Sequence, residues 1–239
     1  NYSSYSNRVN RLAHALTEYG IQQGDRVATL SWNHHKHFET YFSVPLIGAQ
    51  LHTINPLLSS EQIQYILADA DDQLIFVDRS FVPILKSAID TISTIEKGDL
   101  ILMDNSRMDD FDIPTYEEFI RSHPPTYDWP DLDENQPAGL CYTSGTTGDP
   151  KGVEYTHQML WGHTMSMLTP QGIPITDDDT VMPVVPMFHV NAWGFPLAAT
   201  TAGAGHVYPG PSPDSADIVE LIEREKVTIS AGVPSVWLK

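Results

Sequence analysis

The sequence predicts an α/β fold with parallel-rich sheets and flanking helices. Three observations predict it. Helical and strand-like segments alternate from end to end, the pattern of parallel sheets covered by helices. The strand segments include continuous apolar runs such as Leu74-Ile75-Phe76-Val77, which suit strands buried on both faces. The helical segments carry their own start and stop residues, Ser59 with Gln62 at one start and Gly20 at one end.

Taken in order, Tyr5, Val9, Leu12, Leu16 and Tyr19 recur at helical spacing, and Gly20 ends that helix. Arg26 to Leu30 reads as a strand, His37 to Ile47 as a helix kinked at Pro45, and Leu51 to Ile54 as a strand. A capping box at Ser59 and Gln62 opens a helix through Ala70. The strand Leu74 to Val77 follows, then a helix near Val82 to Thr91, a strand at Leu100 to Met103 and a short helix near Tyr116 to Arg121. His123 to Pro137, rich in Pro, Asp and Trp, reads as a surface connection. Ala138 to Tyr142 is a strand, Thr156 to Leu168 a helix and Val181 to Val185 a strand. A helix near Ala192 to Thr201, a strand at His206 to Tyr208, a helix at Ala216 to Glu225 and a strand at Val227 to Ala231 complete the series.

The totals narrow the function classes. The 239 residues carry a net charge of -18 with only 13 Lys and Arg, so neutralising the phosphates of nucleic acid or anionic lipid is excluded as the main task. The acidity fits solubility, or a salty or cold habitat. One cysteine excludes an intrachain disulfide and fits a reducing compartment. No stretch is apolar for long enough to cross a bilayer, and Asn1 to Asn10 lacks a signal-peptide core, so the cytoplasm is expected. The chain opens at Asn1 without an initiator Met and stops at Trp237-Leu238-Lys239 as a new helix begins; both ends read as cut.

The most informative stretch is Tyr142-Thr143-Ser144-Gly145-Thr146-Thr147-Gly148-Asp149-Pro150-Lys151-Gly152. It follows an apolar strand, and the helix expected after it would place it where nucleotide phosphates sit in α/β proteins. Gly145, Gly148 and Gly152 let backbone N–H groups turn toward one centre without Cβ interference. Thr143, Ser144, Thr146 and Thr147 add hydroxyls, and Lys151 adds a positive charge. Each hydrogen bond to a charged oxygen is worth about 1.5–3 kcal/mol, so several together hold a triphosphate. A flexible surface loop has a similar composition; the order of the residues separates the two. A Walker A loop is excluded, because no Gly-Lys-Ser/Thr ending is present.

In that order the stretch resembles the phosphate-loop signature of the adenylate-forming superfamily: acyl- and aryl-CoA ligases, adenylation domains of peptide synthetases and firefly-type luciferases. Gly24-Asp25-Arg26-Val27-Ala28 with Trp32-Asn33, Leu51-His52-Thr53-Ile54-Asn55-Pro56 and Leu74-Ile75-Phe76-Val77-Asp78 resemble its early landmarks. Pro186-Met187-Phe188-His189-Val190-Asn191-Ala192-Trp193-Gly194 and Gly232-Val233-Pro234-Ser235-Val236-Trp237 resemble later ones. The Phe-His-Val-Asn-Ala-Trp-Gly form is similar to the branch acting on medium-chain fatty acids and on methylthio-propionate. The resemblance covers the whole chain.

The resemblance implies the N-terminal part of the large domain of such an enzyme, with two stacked sheets. Residues 1–36 and 178–239 are expected to share one, and 40–172 the other. A small C-terminal domain is expected to be absent, leaving the chain alone inactive or nearly so. The implied activity is an ATP-dependent carboxylic acid:CoA ligase that forms an acyl-AMP, releases pyrophosphate and then makes the CoA thioester. ATP and CoA are the implied co-substrates, Mg²⁺ the implied metal and a homodimer a candidate assembly. Thr143, Ser144, Gly145, Thr146, Thr147, Gly148 and Lys151 are the implied nucleotide ligands, with Thr143 also toward the metal. His189 and Lys151 are the implied catalytic groups, and His189, Trp193, Val233 and Pro234 line the implied acyl pocket. A spacing of four places His189 and Trp193 on one face of a helical turn. A ligase loading a carrier-protein thiol, or a non-catalytic nucleotide-binding module, shares every one of these residues.

Four further groups are weighed. His34-His35-Lys36-His37 reads as a solvated helix start rather than a metal site. Cys141 reads as packing, Asp177-Asp178-Asp179 as an acidic turn before a strand, and Met159, Met165 and Met167 as helix packing.

Overall fold

The structure is a computed structural model that describes residues 1–239 apart from 90, 91, 93, 94, 110, 144–148, 238 and 239, and the side chains of 97 and 235. Its elements in chain order are α1 (Tyr2–Tyr19), β1 (Arg26–Leu30), α2 (His35–Leu46), β2 (Gln50–Thr53), α3 (Ser60–Ala70), β3 (Leu74–Val77), α4 (Val82–Ile89), β4 (Leu100–Leu102) and α5 (Tyr116–Ile120). There follow β5 (Pro137–Tyr142), β6 (Gly152–Thr156), α6 (His157–Met167), β7 (Thr180–Pro183), α7 (Phe195–Ala202), β8 (Gly205–His206), α8 (Ser215–Glu225), β9 (Ile229–Ala231) and α9 (Pro234–Trp237). The chain divides into two compact units, Asn1–Ser31 with Glu39–His157 and Trp32–Phe38 with Gln158–Lys239.

The first unit is built on a six-stranded sheet in the order β4-β3-β1-β2-β5-β6. The first five strands are parallel and β6 is antiparallel. The chain leaves β1 for β2 on one side, then crosses to β3 on the other. Right-handed crossovers then put α3 and α4 on one face and α2 on the other. Accordingly α3 packs on α4, and α1 packs on α5. The Ser59 hydroxyl accepts from the Gln62 N–H while the Gln62 side chain accepts from the Ser59 N–H, which is the expected capping box. Every residue of β2, β3 and β4 is buried. Burying a Leu, Ile, Val or Phe side chain yields about 1.5–3 kcal/mol, which is what favours apolar runs here.

Polar residues also tie this unit together. Arg8 of α1 donates from Nε to Glu39 Oε1 at 2.6 Å and from its two terminal nitrogens to Glu117 at 3.0 and 2.7 Å. The Tyr116 hydroxyl donates to the other Glu39 oxygen at 2.6 Å. Burial pushes the Glu39 carboxyl above the usual carboxylate range, while Arg8 and Tyr116 pull it back.

The second unit is smaller, with a three-stranded parallel sheet in the order β8-β7-β9. Met167, Ile175, Val181, Phe195, Ala198, Ala199 and Ala204 form its core. α8 opens on a capping box between Asp214 and Asp217.

Two expectations are corrected. Residues 1–36 do not share a sheet with 178–239: β1 lies between β3 and β2, with Val27 opposite both Leu74 and Leu51. A strand buried at four of its five residues, as β1 is, satisfies both of its edges and both of its faces only in a central position, and only Trp32–Phe38 of this stretch groups with the later residues. The segment Gly152–Thr156 is a strand, with α6 beginning after it. Val153 and Tyr155 alternate with Gly152, Glu154 and Thr156 there, which is the period of a half-exposed edge strand.

Candidate active site

Thr143 and Lys151 close the base of the nucleotide loop. The Thr143 N–H donates to the Lys151 carbonyl at 3.0 Å, and the Lys151 N–H reaches the Thr143 hydroxyl at 3.4 Å. Both side chains are exposed at the carboxyl end of β5. The expected ligands Ser144, Gly145, Thr146, Thr147 and Gly148 lie outside the described residues. Because β5 pairs antiparallel with β6, the loop is the turn of a hairpin, and no helix starts at its end. The helix expected directly after the loop is therefore replaced by the strand β6.

The second cluster stands at the carboxyl end of β7 and β9. The Val184 and Val185 N–H groups both donate to the Ala231 carbonyl, at 2.8 and 2.9 Å. The segments Pro186–His189 and Gly232–Pro234 thus leave neighbouring parallel strands at the same end, where ligands bind in open α/β sheets. Asn33 fixes the first of them. Its amide donates to the Pro183 and Val185 carbonyls at 2.9 Å, and its oxygen accepts from the Met187 N–H at 2.6 Å. His189 is exposed, as are Val233 and Pro234.

From Val190 to Trp193 the backbone is left-handed, with φ of 46°, 51°, 48° and 55°, and Gly194 follows at 82°. Each non-glycine residue in that region costs about 1–2 kcal/mol, and a β-branched valine is a true outlier. The expected shared helical face is thus corrected, because the turn is left-handed. In a three-residue turn, positions four apart lie about a third of a turn from each other, so His189 and Trp193 do not share a helical face. The segment is held by His163, whose Nε2–H donates to the Trp193 carbonyl at 3.1 Å. Gly194 is required beneath it, because a Cβ would lie 2.7 Å from the His163 ring and 3.0 Å from Met167 Sδ. Backbone strain of this kind concentrates where a chain meets ligands.

A model of the AMP-binding enzyme family matches residues 1–239. The chain belongs to that family. It is 42% identical over 243 residues to a 3-methylmercaptopropionyl-CoA ligase of Ruegeria pomeroyi, covering 99% of the chain and 44% of that protein. It is 42% identical over 233 residues to a medium-chain-fatty-acid–CoA ligase of Ectopseudomonas oleovorans, covering 96% and 42%. The inhibitor-bound N-terminal domain of FACL13 from Mycobacterium tuberculosis superposes with a TM-score of 0.86 at 27% identity, over 99% of the chain and 56% of that domain. The chain therefore spans less than half the length of the curated relatives it matches.

Within this AMP-binding enzyme, sequence reasoning missed the residues that hold the site from behind. Asn33 was visible only as a landmark, and its partners lie some 150 positions away. His163 sat in a helix noted for its methionines. A third group, below the loop base, joins His52 of β2, Asp72 and Tyr142 of β5. The His52 Nδ1–H is 2.9 Å from both Asp72 oxygens, and both side chains are fully buried. Among the described residues nothing meets His52 Nε2, an omission worth about 1–3 kcal/mol.

The remaining candidates resolve locally. The Thr176 N–H and the Thr228 hydroxyl both donate to Asp179, whose carboxyl is held below the usual range by those bonds, so the acidic turn is structural. Cys141 is buried, 3.3 Å from the Thr53 hydroxyl. Lys36 and His37 are buried, which corrects the solvated helix start; His37 Nδ1 bonds the Trp32 carbonyl at 3.0 Å. Met167 packs in the core, whereas Met159 is exposed. No group of three or more metal-ligating side chains occurs among the described residues. No helix among them is long and apolar enough to cross a membrane.

Proposed function

We propose that the protein is an ATP-dependent carboxylic acid:CoA ligase acting in the cytoplasm, and that this chain supplies its triphosphate loop and part of its acyl pocket. The observation that carries the reading is the Thr143–Lys151 loop base on the end of β5, within a chain that matches CoA ligases along its whole length. A free carboxylate is a poor acyl donor, because the group to be expelled would be oxide. One of its oxygens attacks the α-phosphorus of ATP, the bond to the β-phosphate oxygen breaks, and pyrophosphate leaves with the electron pair. The resulting acyl-AMP anhydride is then attacked by the CoA thiol, which loses its proton as AMP departs.

The protein's part in the first step is positioning and charge neutralisation. Lys151 places an ammonium beside the loop base, where it pairs with the departing phosphates. Loop N–H groups and hydroxyls supply the remaining donors. A magnesium ion, when bound, shares the phosphate charge. Such an ion takes most of its ligands from phosphate and water, so one protein hydroxyl, that of Thr143, fits the need. His189, Trp193, Val233 and Pro234 are assigned to the acyl side, with His189 toward the carboxylate.

Identity is the same, 42%, to a methylmercaptopropionyl, a medium-chain and a long-chain ligase, and the Phe188–Gly194 form favours the first two, so a medium-chain fatty acid and a methylthio acid are the substrate classes proposed. The test is carboxylate-dependent ATP–pyrophosphate exchange by the full-length protein, over acids from propionate and its methylthio derivative to dodecanoate. Exchange with one class of acid, reduced about 100-fold or more in Lys151→Ala, is expected. No exchange with any acid, despite ATP binding, overturns the ligase reading in favour of a nucleotide-binding module. Exchange followed by transfer to a carrier-protein thiol but not to CoA replaces the acceptor.

A further inference from the structure

We propose that the buried His52–Asp72 pair is a positioning device for the nucleotide loop. It fixes the ring of Tyr142, and through that ring the Thr143–Lys151 base. The inference rests on the ligase reading for its ligand, but its geometry stands without it.

The His52 ring lies 5.2 Å from the Tyr142 ring. The Tyr142 hydroxyl donates to Asp69 Oδ2 at 2.7 Å. Asp69 is in the last turn of α3 and Asp72 two residues beyond its end, so one helix terminus orients both rings. Gly152, which follows Lys151 and pairs with Tyr142 in the hairpin, also lies against the phenol. A Cβ there would lie 3.3 Å from Tyr142 Cζ and 3.4 Å from its hydroxyl. Tyr142 is thus held by a neighbouring ring, a carboxylate and a glycine, and it is bonded directly to Thr143. An apolar pair would fill the same buried volume without leaving a nitrogen unpartnered. What the imidazole adds is direction: a ring whose Nδ1–H faces both oxygens of a carboxylate has one orientation.

The test compares the full-length wild-type protein with Asp72→Asn, Tyr142→Phe and the double variant His52→Phe with Asp72→Leu. Two quantities are read: hydrogen exchange of the Thr143 amide without ligand, and the dissociation constant for ATP. In Asp72→Asn, exchange at Thr143 is expected to quicken and ATP binding to weaken about tenfold, with the KM for the acid unchanged. Tyr142→Phe shows about a threefold effect on both. The double variant, free of a mismatched buried charge, keeps its thermal stability yet retains both defects. It carries the test if Asp72→Asn fails to fold. Unchanged Thr143 exchange in folded variants overturns the proposal, and so does quickened exchange with unaltered ATP affinity. If the wild type binds no ATP, the ligase reading fails and Thr143 exchange alone decides the brace.

Discussion

The two units use the same kinds of element to different ends. In the six-stranded unit, β2, β3 and β4 are buried at every residue, and Asp71, at the end of α3, is the described non-glycine residue with positive φ. In the three-stranded unit, β9 is only half-buried, and Val190, Asn191, Ala192, Trp193, Ser212 and Lys226 all have positive φ. The first carries its loop on a regular, closed-packed sheet. The second gives up stability to hold an irregular segment at its strand ends. On the proposed function, the triphosphate, a ligand of fixed shape, is assigned to the first construction and the variable acyl group to the second.

Three changes break or sharpen that contrast. The largest effect is expected for Phe76→Ala, at a fully buried position of β3 whose ring lies 5.9 Å from Tyr116 and 6.0 Å from Phe119. It is expected to destabilise the protein by about 3–5 kcal/mol in urea unfolding. A loss under 1 kcal/mol would remove the rigid-sheet half of the comparison.

Next is the acid sensitivity of the second unit. Burial pushes the His206 imidazole down from 6.5 to about 4. Its Nε2 lies 3.2 Å from the Thr200 hydroxyl and its Nδ1 3.1 Å from that of Tyr208. Above pH 6.5 the ring is neutral in both folded and unfolded chains and has no effect. As pH falls toward 4 the unfolded chain takes the proton first, so stability is lost across that window, by at most about 3 kcal/mol. Urea midpoints from pH 8 to 4 for wild type and His206→Phe measure this. A wild-type loss equal to the variant's assigns the sensitivity to other groups.

The smallest effect has the opposite sign. Val190→Gly relieves one left-handed residue at a position that is 45% exposed. It is expected to raise stability by up to about 1 kcal/mol, after the entropy of the added glycine is allowed for. Its effect on the KM for the acid exceeds its effect on that for ATP. If thermal melting shows it destabilising, the segment is not a store of strain.

Much of this was legible beforehand. Ser59 and Gln62 announced their capping box, Gly20 its helix end, and the Leu74–Val77 run its buried strand. The order of residues from Tyr142 to Gly152 carried the resemblance to the family whose model matches the chain. What was illegible shares one cause. Gly152–Thr156 is a strand because β5 offers it an edge; the alternation of its own five residues is too short to decide that alone. The handedness of Val190–Trp193 depends on His163 and on the space under Gly194.

By itself the sequence determined the local periods and the caps, because these arise from sterics and hydrogen bonds between residues a few positions apart. Only the tertiary structure decided that β1 stands between β3 and β2, that the nucleotide loop is a hairpin, and that His52 meets Asp72 under Tyr142. Those arrangements balance burial against polar satisfaction among segments far apart in the chain, and that balance has no signature in spacing.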